Sequence, residues 1–342
     1  MEYKLALLGF GNVGRALAEL LLRKENELKE NYGITFKVTG IATGSRGRVI
    51  DPAGLDLPKV LAAFSAAQSL AAFDRLPSSD SFDFIQKCGA DVLFENSPVN
   101  YASGQPALDY IRTALGLGMH AISANKGPVV HAWRELKDLA RAHQREFLHE
   151  STVMDGAPIF SLFSRALPAA RLLSFRAVLN STTNLVLSQM ESGASFEEAV
   201  LHAQKIGIAE TDPSGDLDGW DAAVKVAALA TVLMDHPLKP AEIDRTGIRG
   251  ISAEMVRKAR AEGKRYKLIC TAAWQEGILT GKVAPELVTL DSPFFSVEGT
   301  SSMIEFQTDV LGSLTLLEGN PGPETTAYGL LADFIHAVTD RA

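Results

Sequence analysis

Cysteine is rare in this sequence, and the absence of several other features narrows the classes of protein to which it can belong. Only Cys88 and Cys270 occur among 342 residues, without the spacing of a metal site, so we predict neither a disulfide framework nor a zinc site. Runs of lysine or arginine are missing and the formal net charge is -8 at pH 7, which argues against a nucleic-acid partner or an anionic membrane partner.

Long apolar stretches and a secretion signal are missing as well. Residues 222–234 form an apolar stretch that is shorter than the roughly 20 residues needed to span a bilayer, and Lys225 interrupts it. Met1 leads almost directly into a predicted strand, without the charged and apolar regions of a signal peptide. We therefore expect a cytoplasmic protein that does not bind membranes.

The first half of the sequence alternates regularly between strand-like and helix-like segments. Short apolar runs are separated by stretches in which leucine and alanine recur at helical spacing, with predicted helices over 57–73, 107–117 and 132–142. This alternation predicts an α/β fold in which a Rossmann-type, doubly wound parallel sheet covers residues 1–150.

The pattern changes at about residue 151. A predicted helix over 157–166 and a strand within 172–180 are followed by helices over 183–191 and 196–206 and by extended segments between 266 and 317. We predict a mixed α+β second domain over residues 151–319. Residues 320–342 then carry a last helix, over 325–338, that returns to the first domain.

Three glycines follow the first predicted strand and precede a helix, in the pattern GxGxxG. The first glycine permits a tight turn, the second lets a pyrophosphate approach the backbone, and the third lets the helix pack closely on the strand. The predicted cofactor-binding residues of this turn are Gly9, Phe10, Gly11, Asn12, Val13 and Gly14. The alternative is a glycine turn without a ligand.

The residues after the second predicted strand bear on the choice between NADP and NAD. NAD enzymes usually carry an acidic residue there for the ribose hydroxyls, whereas this sequence has Ser45, Arg46 and Arg48. We predict NADP as the cofactor, with Arg46 as a contact and NAD as the alternative. A solvated basic loop without a cofactor role is the other interpretation.

Residues 207–225 combine several acidic side chains with one lysine in an apolar helix. Asp221 and Lys225 are four residues apart, so they share a face of the helix. The apolar neighbours leave little polar surface to expose, and a buried lysine is costly unless it is paired or functional. We predict a functional site here, with an exposed ion pair as the alternative.

The segment AQKIGIAETDPSGDLDGWDAAVK, residues 203–225, resembles the diagnostic segment of homoserine dehydrogenases and matches it at each fixed position. The segments ENSPVN, SANKGPVV, ESTVMDGAPI, LNSTTN and GPETTAYG also stand in the family's order, so the resemblance covers nearly the whole chain. It implies that the protein interconverts L-aspartate 4-semialdehyde and L-homoserine with NAD(P), in threonine and methionine biosynthesis.

The resemblance implies roles for individual residues of the acidic segment. Lys225 matches the family's proposed proton donor, and Asp221 is expected to orient it and to favour its ammonium form. Glu210 matches a residue that binds substrate. Asp216 and Gly207 are expected to belong to the same substrate site, where carboxylates bind the α-ammonium of the amino acid.

Further matches lie outside that segment. Lys126 is expected to contact the nicotinamide region or the substrate and is a second catalytic candidate, with a surface lysine as the alternative. Ser97 and Gly322 match cofactor contacts. A site for Na⁺ or K⁺ is implied by the four residues Glu150, Val153, Asp155 and Ala157, three of them through backbone carbonyls, with a plain turn as the alternative.

The resemblance further implies a homodimer formed by the second domain, which also binds substrate. Many relatives append a C-terminal regulatory domain or a fused aspartate kinase, whereas this sequence stops at Ala342, so we expect no feedback inhibition through such a domain. Two other functions are less well supported. A Rossmann oxidoreductase for another amino-acid-derived aldehyde or imine is disfavoured because the segment from Glu210 to Lys225 is so particular, and a sensor that binds NADP without turnover is disfavoured because the lysine and the carboxylates are present.

Overall fold

The computed structural model describes residues 1–339, and the chain divides into two compact units. The first unit consists of Met1–Pro158 and the C-terminal segment from Gly322, and the second unit consists of Ile159–Pro321. Each unit contains one six-stranded sheet. Within residues 1–339, no helix has both the length and the apolar composition needed to cross a membrane.

The elements of the first unit alternate between strands and helices. The strands are β1 (Glu2–Leu8), β2 (Thr35–Ala42), β3 (Arg48–Ile50), β4 (Val92–Glu95), β5 (His120–Ser123) and β6 (Phe147–Leu148). The helices are α1 (Asn12–Arg23), α2 (Glu25–Tyr32), α3 (Leu57–Ser65), α4 (Ser81–Lys87), α5 (Ala107–Gly116), α6 (Lys126–Ala142) and, from the C-terminal segment, α12 (Pro323–Thr339).

The first sheet has the strand order β3-β2-β1-β4-β5-β6. Strands β2, β1, β4, β5 and β6 run parallel, whereas β3 pairs antiparallel with β2. The residues of β1 from Leu5 to Leu8 are at most 3% exposed, which is typical of a central parallel strand covered by helices on both faces. The predicted doubly wound α/β fold is therefore confirmed, with an antiparallel edge strand that the sequence did not indicate.

Several boundaries in the first unit differ from the predictions. The helix predicted over 57–73 ends at Ser65, and a separate 3-10 turn covers Ala71–Phe73. Helix α6 begins at Lys126 instead of residue 132, because the Asn125 side chain caps it, and non-helical angles at Ala132 kink it. The leucine and alanine spacing over residues 15–28 predicts one helix, whereas two form, α1 and α2; Leu28 is the one buried residue of α2, which therefore has no periodic apolar face.

Helix α12 packs within the first unit. Its residues Leu330 and Phe334 are fully buried in the core that also contains Leu17 of α1. The Phe334 ring contacts Tyr3 and Phe94 edge to face, with centroid separations of 5.9 and 6.0 Å. The last helix is thus part of the core beneath β1 and α1.

The second unit is mixed. Its strands are β7 (Leu172–Val178), β8 (Asp244–Arg245), β9 (Arg265–Gln275), β10 (Ile278–Val288), β11 (Ser302–Thr308) and β12 (Gly312–Glu318). Its helices are α7 (Ser181–Glu191), α8 (Phe196–Lys205), α9 (Ser214–Leu217), α10 (Trp220–Leu233) and α11 (Ala253–Ala261).

The second sheet has the order β12-β11-β7-β9-β10-β8, and its strands pair antiparallel except β8, which is parallel to β10. This confirms the predicted α+β second domain. Helix α10 lies close to β10, since a Cβ atom on Gly281 would lie 3.3 Å from Val226. The helix predicted over 157–166 begins later than expected, after Pro158: residues 160–161 are α-helical and continue into the π-helical segment Leu162–Ala166.

Candidate functional site

Lys225 occupies the one charged position in the interior of the apolar helix α10. Its neighbours Val224 and Val226 are buried, and its own side chain is 14% exposed. The Nζ atom donates a hydrogen bond to the carbonyl oxygen of Leu179 at 2.5 Å and lies 3.4 Å from Oδ2 of Asp221. Two of the three N–H donors of the ammonium have these partners, so the third can serve a substrate oxygen.

Asn180 connects this lysine to a second carboxylate. It lies two residues beyond the end of β7, and its Oδ1 accepts the backbone N–H of Thr183, which caps helix α7. Its Nδ2 donates to Asp216 at 2.7 Å and to Asp221 at 3.0 Å. Asn180, Asp216, Asp221 and Lys225 therefore form one hydrogen-bonded set, named here the Lys225 cluster. Asn180 thus caps a helix with one side-chain atom and binds two carboxylates with the other.

Burial and the closeness of two carboxylates set the electrostatics of the Lys225 cluster. Burial, followed by the negative charge of Asp221, raises the pKa of Asp216. Hydrogen bonds from Asn180 and Thr182 and the charge of Lys225 act in the opposite direction. An additional cation beside Asp216 would favour its ionised form. The cluster can therefore accept an ammonium group while Lys225 faces an oxygen.

Glu210 and Gly207 lie on the exposed loop between α8 and α9. Gln204 donates from Nε2 to the backbone carbonyls of Glu210 and Thr211 at 3.1 and 3.0 Å, which fixes the loop to α8. Gly207 has φ +77, a conformation that disfavours other residues. Within residues 1–339, the Glu210 side chain makes no hydrogen bond or ion pair with the Lys225 cluster. Among the residues that the structure describes, Asp216 and Asp221 are the two predicted substrate-site carboxylates that are joined to Lys225 by this set of contacts.

In the first unit, the predicted cofactor residues lie at the point where the strand order reverses. The chain leaves β1 toward β2 on one side and later returns to β4 on the other, and ligands of such sheets bind beyond the carboxyl ends of these strands. The Gly9–Gly14 turn follows β1, Ser97 follows β4, and Lys126 follows β5 at the start of α6.

The glycines of the turn are required by close backbone contacts. Gly9 has φ +98, and a Cβ atom there would lie 2.3 Å from the carbonyl oxygen of Asn96. A Cβ atom on Gly14 would lie 2.3 Å from the carbonyl oxygen of Gly9. A Cβ atom on Gly11, by contrast, would meet nothing within 4 Å. The first and third glycines serve packing, while the second borders open space at the N-terminus of α1.

These surroundings fit a dinucleotide. Within the described residues, no side chain caps the start of α1, so its first backbone N–H groups remain for a phosphate. The Phe10 ring is buried and packs edge to face on Phe64 at 5.5 Å, so Phe10 can offer only its backbone. The polar side-chain atoms of Asn96 are buried without a hydrogen-bond partner among residues 1–339, beside the Gly9 turn.

Arg46 lies on the hairpin loop between β2 and β3. Its guanidinium stacks on the Phe64 ring, 3.9 Å from the centroid, and Nη1 donates to the Phe64 carbonyl. Arg15 approaches the same ring at 5.1 Å and donates from Nη2 to Asn12 at 2.7 Å. Arg48 instead donates to the carbonyls of Ser78 and Ser79. Sequence reasoning missed Arg15, although a basic residue in the first turn of a helix is unusual.

The segments after β4 and β5 are tied to each other. Asn125 donates from Nδ2 to the carbonyl oxygen of Ser97 at 3.1 Å, and its Oδ1 caps α6 at Gly127. Lys126 is the half-buried first residue of that helix. Gly322 lies just before α12, where Thr325 Oγ1 accepts its N–H at 2.8 Å. The fold thus brings Ser97 and Lys126 to one edge of the first sheet.

The four predicted cation ligands lie in a turn of the first unit that is bound to α12. The backbone N–H of Glu150 donates to Asp333 at 2.8 Å, and the Asp155 carboxylate accepts from Thr326 at 2.6 Å. Val153 is buried, and the N–H of Ala157 donates to Met154. Across residues 1–339, no group of three or more His, Cys, Asp or Glu side chains is arranged to hold a metal ion. The cation site, which relies on carbonyls, stays a prediction.

Comparisons with known proteins agree over almost the whole chain. A family model described as homoserine dehydrogenase, NAD binding domain, matches residues 9–150, and a model described as homoserine dehydrogenase matches residues 158–335. The chain is 37% identical to the NAD(+)-dependent homoserine dehydrogenase of Pseudomonas canavaninivorans, with 98% of this chain and 96% of that protein covered. It is 36% identical to a homoserine dehydrogenase of Methanocaldococcus jannaschii, with 96% and 97% covered.

A solved structure gives the same result for the fold. The structure of a hyperthermophilic archaeal homoserine dehydrogenase in complex with NADPH superposes with a TM-score of 0.82 at 27% sequence identity. The superposition covers 98% of this chain and 98% of that chain.

The two glycines Gly11 and Gly14 should respond differently to substitution by alanine. Gly11→Ala should leave the thermal unfolding midpoint unchanged and weaken dinucleotide binding by about tenfold or more, since its methyl group enters the open space. Gly14→Ala should destabilise the protein by about 1–3 kcal/mol, because its methyl group meets the Gly9 carbonyl. Thermal unfolding and cofactor titration of both variants test this. Equal destabilisation by the two substitutions would contradict it.

Proposed function

The chain belongs to the homoserine dehydrogenase family, and on this premise we propose that it interconverts L-aspartate 4-semialdehyde and L-homoserine with a nicotinamide cofactor, in threonine and methionine biosynthesis. The observation that carries the proposal is the Lys225 cluster, in which a buried ammonium lies beside two carboxylates. A bound nicotinamide supplies the hydride for reduction of the aldehyde or accepts it on oxidation of the alcohol.

Lys225 is the proton donor in this proposal. Reduction of the aldehyde places negative charge on its oxygen, and an ammonium within hydrogen-bond reach stabilises and protonates that oxygen. The Leu179 carbonyl and Asp221 hold Nζ in place, so the lysine needs little reorganisation during the reaction. In the oxidative direction the same amine accepts the hydroxyl proton.

Asp216 is proposed to bind the α-ammonium of the amino acid, together with Asp221. Both carboxylates are held by the amide of Asn180, which keeps them on one side of the lysine. Glu210 and Gly207 are proposed to complete the site from the α8–α9 loop. A zwitterionic substrate needs carboxylates at one end and a proton donor at the other, and the cluster supplies both.

The cofactor residues are proposed on the first unit. The pyrophosphate is assigned to residues 9–14 at the start of α1, and the nicotinamide half to Ser97, Lys126 and Gly322. We propose NADP as the preferred cofactor with Arg46 at its 2′-phosphate, because the β2–β3 loop carries no carboxylate for the ribose hydroxyls. One relative is named as NAD(+)-dependent and another has been solved in complex with NADPH, so both cofactors are needed in any assay.

A homodimer and a bound Na⁺ or K⁺ at the turn 150–157 are proposed on the family resemblance. Sedimentation equilibrium tests the dimer, and a purely monomeric protein at micromolar concentration would refute it. Isothermal titration with Na⁺ and K⁺ tests the cation site.

Oxidation of L-homoserine by the purified chain tests the function directly, with reduced nicotinamide followed by absorbance and with NADP and NAD in parallel. We expect turnover, and we expect Lys225→Ala to lower kcat by at least about 100-fold with cofactor affinity little changed. Lys205→Ala, which removes an exposed lysine at the end of α8, should have no effect. Near-normal turnover of Lys225→Ala would show that Lys225 is not the proton donor. Cofactor binding without any turnover would favour the sensor or another aldehyde substrate.

The cofactor preference is tested by two arginine substitutions. Arg46→Ala should weaken NADP at least about tenfold more than NAD, since only NADP carries the 2′-phosphate. Arg48→Ala, at the start of β3, is the matched control, because the Arg48 guanidinium binds the Ser78 and Ser79 carbonyls and its loss should affect both cofactors alike. Dissociation constants from fluorescence titration measure both. An equal loss of NADP and NAD in Arg46→Ala would contradict the assignment.

The raised pKa of Asp216 predicts that kcat/KM for homoserine depends on pH. Its pKa is raised above the ordinary value, chiefly by burial, so as pH falls it takes up a proton earlier than a solvated carboxyl does. The ionised form binds the substrate ammonium, so kcat/KM for homoserine should fall on the acid side by up to about tenfold per pH unit. Asp216→Asn should raise the KM at least about tenfold and abolish this acid limb.

The neighbouring Asp212 provides the control for this pH profile. It is exposed, and hydrogen bonds from Ser214 lower its pKa, so Asp212→Asn should leave the acid limb in place. An unchanged acid limb in Asp216→Asn would assign the titration to another group.

A further inference from the structure

Glu95 is a fully buried carboxyl group at the end of β4, and it belongs neither to the Lys225 cluster nor to the glycine turn. It is 0% exposed, and within the described residues no lysine, arginine or histidine forms an ion pair with it. Three donors converge on it instead. The backbone N–H of Ser97 donates at 2.8 Å, the Ser97 hydroxyl donates to the same oxygen, and the Ser123 hydroxyl donates to the other oxygen at 3.0 Å.

This arrangement determines the direction in which both serine hydroxyl groups donate and accept hydrogen bonds, referred to below as their polarity. A hydroxyl has one proton to donate and lone pairs with which it accepts, whereas a carboxylate only accepts. Ser97 and Ser123 each commit their proton to Glu95, so each offers only lone pairs to other groups. Ser123 already does so, because its Oγ accepts the backbone N–H of Asn125 at 3.0 Å.

Ser97 is held from several sides. Its N–H donates to Glu95 and its carbonyl accepts from Asn125 at 3.1 Å, while the residue itself is half-buried. Its position beyond β4 lies on the opposite side of β1 from the β2–β3 loop that carries Arg46. In a doubly wound sheet the two nucleotide halves of the cofactor lie on opposite sides of this reversal. The Ser97 hydroxyl is thus assigned to the nicotinamide half, where the carboxamide is the group that donates N–H hydrogen bonds.

We propose that Glu95 is a positioning residue for cofactor recognition, which orients the Ser97 hydroxyl so that it accepts a hydrogen bond from the carboxamide N–H of nicotinamide. The inference rests on the cofactor part of the proposed function. Burial without a cation raises the pKa of Glu95, and the three hydrogen bonds oppose that rise. The test is carried out in a mildly alkaline buffer, which favours the ionised form of the carboxyl group.

Glu95→Gln tests the proposal, because it keeps the shape of the side chain and adds an N–H donor. The amide oxygen of glutamine takes the position that accepts from Ser97, because the Ser97 N–H donates there as well, and the amide N–H group faces Ser123. The Ser97 hydroxyl then donates to a neutral oxygen instead of a carboxylate, so its orientation is held less firmly. We expect the dissociation constant of NADPH to rise about threefold to tenfold, at most the loss of roughly one hydrogen bond. The reduced 3-acetylpyridine analogue, whose methyl ketone lacks the N–H, should change by less than about twofold. Fluorescence titration measures both constants.

Two further variants show whether Glu95 acts through Ser97. Ser97→Ala should give the same selective loss of NADPH, and the double variant Glu95→Gln/Ser97→Ala should bind no more weakly than Ser97→Ala alone. Glu30→Gln, an exposed carboxylate on α2, is the matched control and should bind both cofactors normally. Additive losses, or equal losses of NADPH and its analogue, would overturn the proposal.

These measurements stay informative if one variant does not fold or if the protein does not oxidise homoserine. If thermal unfolding shows that Glu95→Gln does not fold, Ser97→Ala decides alone: a selective loss of NADPH supports the acceptor role, and an equal loss overturns it. Binding is measured without homoserine, so a protein that passes this test but does not oxidise homoserine refutes only the proposed reaction.

Discussion

The polar contacts of the second unit centre on one largely buried ammonium group, that of Lys225, which requires oxygen acceptors. Lys225 lies in a helix whose other interior residues are apolar, and an unpaired charge there would be strongly destabilising. The Leu179 carbonyl and the Asp221 carboxylate meet this need, and Asn180 extends the same set to Asp216. The end of β7, the short helix α9 and the start of α10 are therefore held together by the polar groups that the proposed chemistry uses.

The first unit depends on a different constraint, which is the close approach of backbone segments. Gly9 leaves no room for a side chain against Asn96, and Gly14 leaves none against Gly9. These contacts bring the ends of β1 and β4 together. Below them, Glu95 binds Ser97 and Ser123 and so connects β4 with β5. The hydrogen bonds of Glu95 that join the two strands are also the ones that orient the Ser97 hydroxyl, so the proposed cofactor contact and the packing of this edge depend on the same carboxyl group.

The sequence predicted the features that arise from local patterns. The alternating periodicity predicted both fold classes, the glycine spacing predicted the turn before α1, and the four-residue spacing predicted that Asp221 and Lys225 share a face. Features without a local pattern were missed or misplaced. The polar helix α2 has no apolar face, the strand β3 is three residues long, and the helix after Pro158 begins later than predicted.

The sequence by itself determined the fold class, most of the elements, and that Asp216, Asp221 and Lys225 lie close together along the chain, because periodicity and spacing act over a few residues. Only the tertiary structure decided which groups meet. Asn180 reaches Asp216 and Asp221 across 36 and 41 residues, and Ser123 reaches Glu95 across 28. Such contacts depend on how strands and helices pack, and the polarity of a buried hydroxyl depends on the partner that packing places beside it.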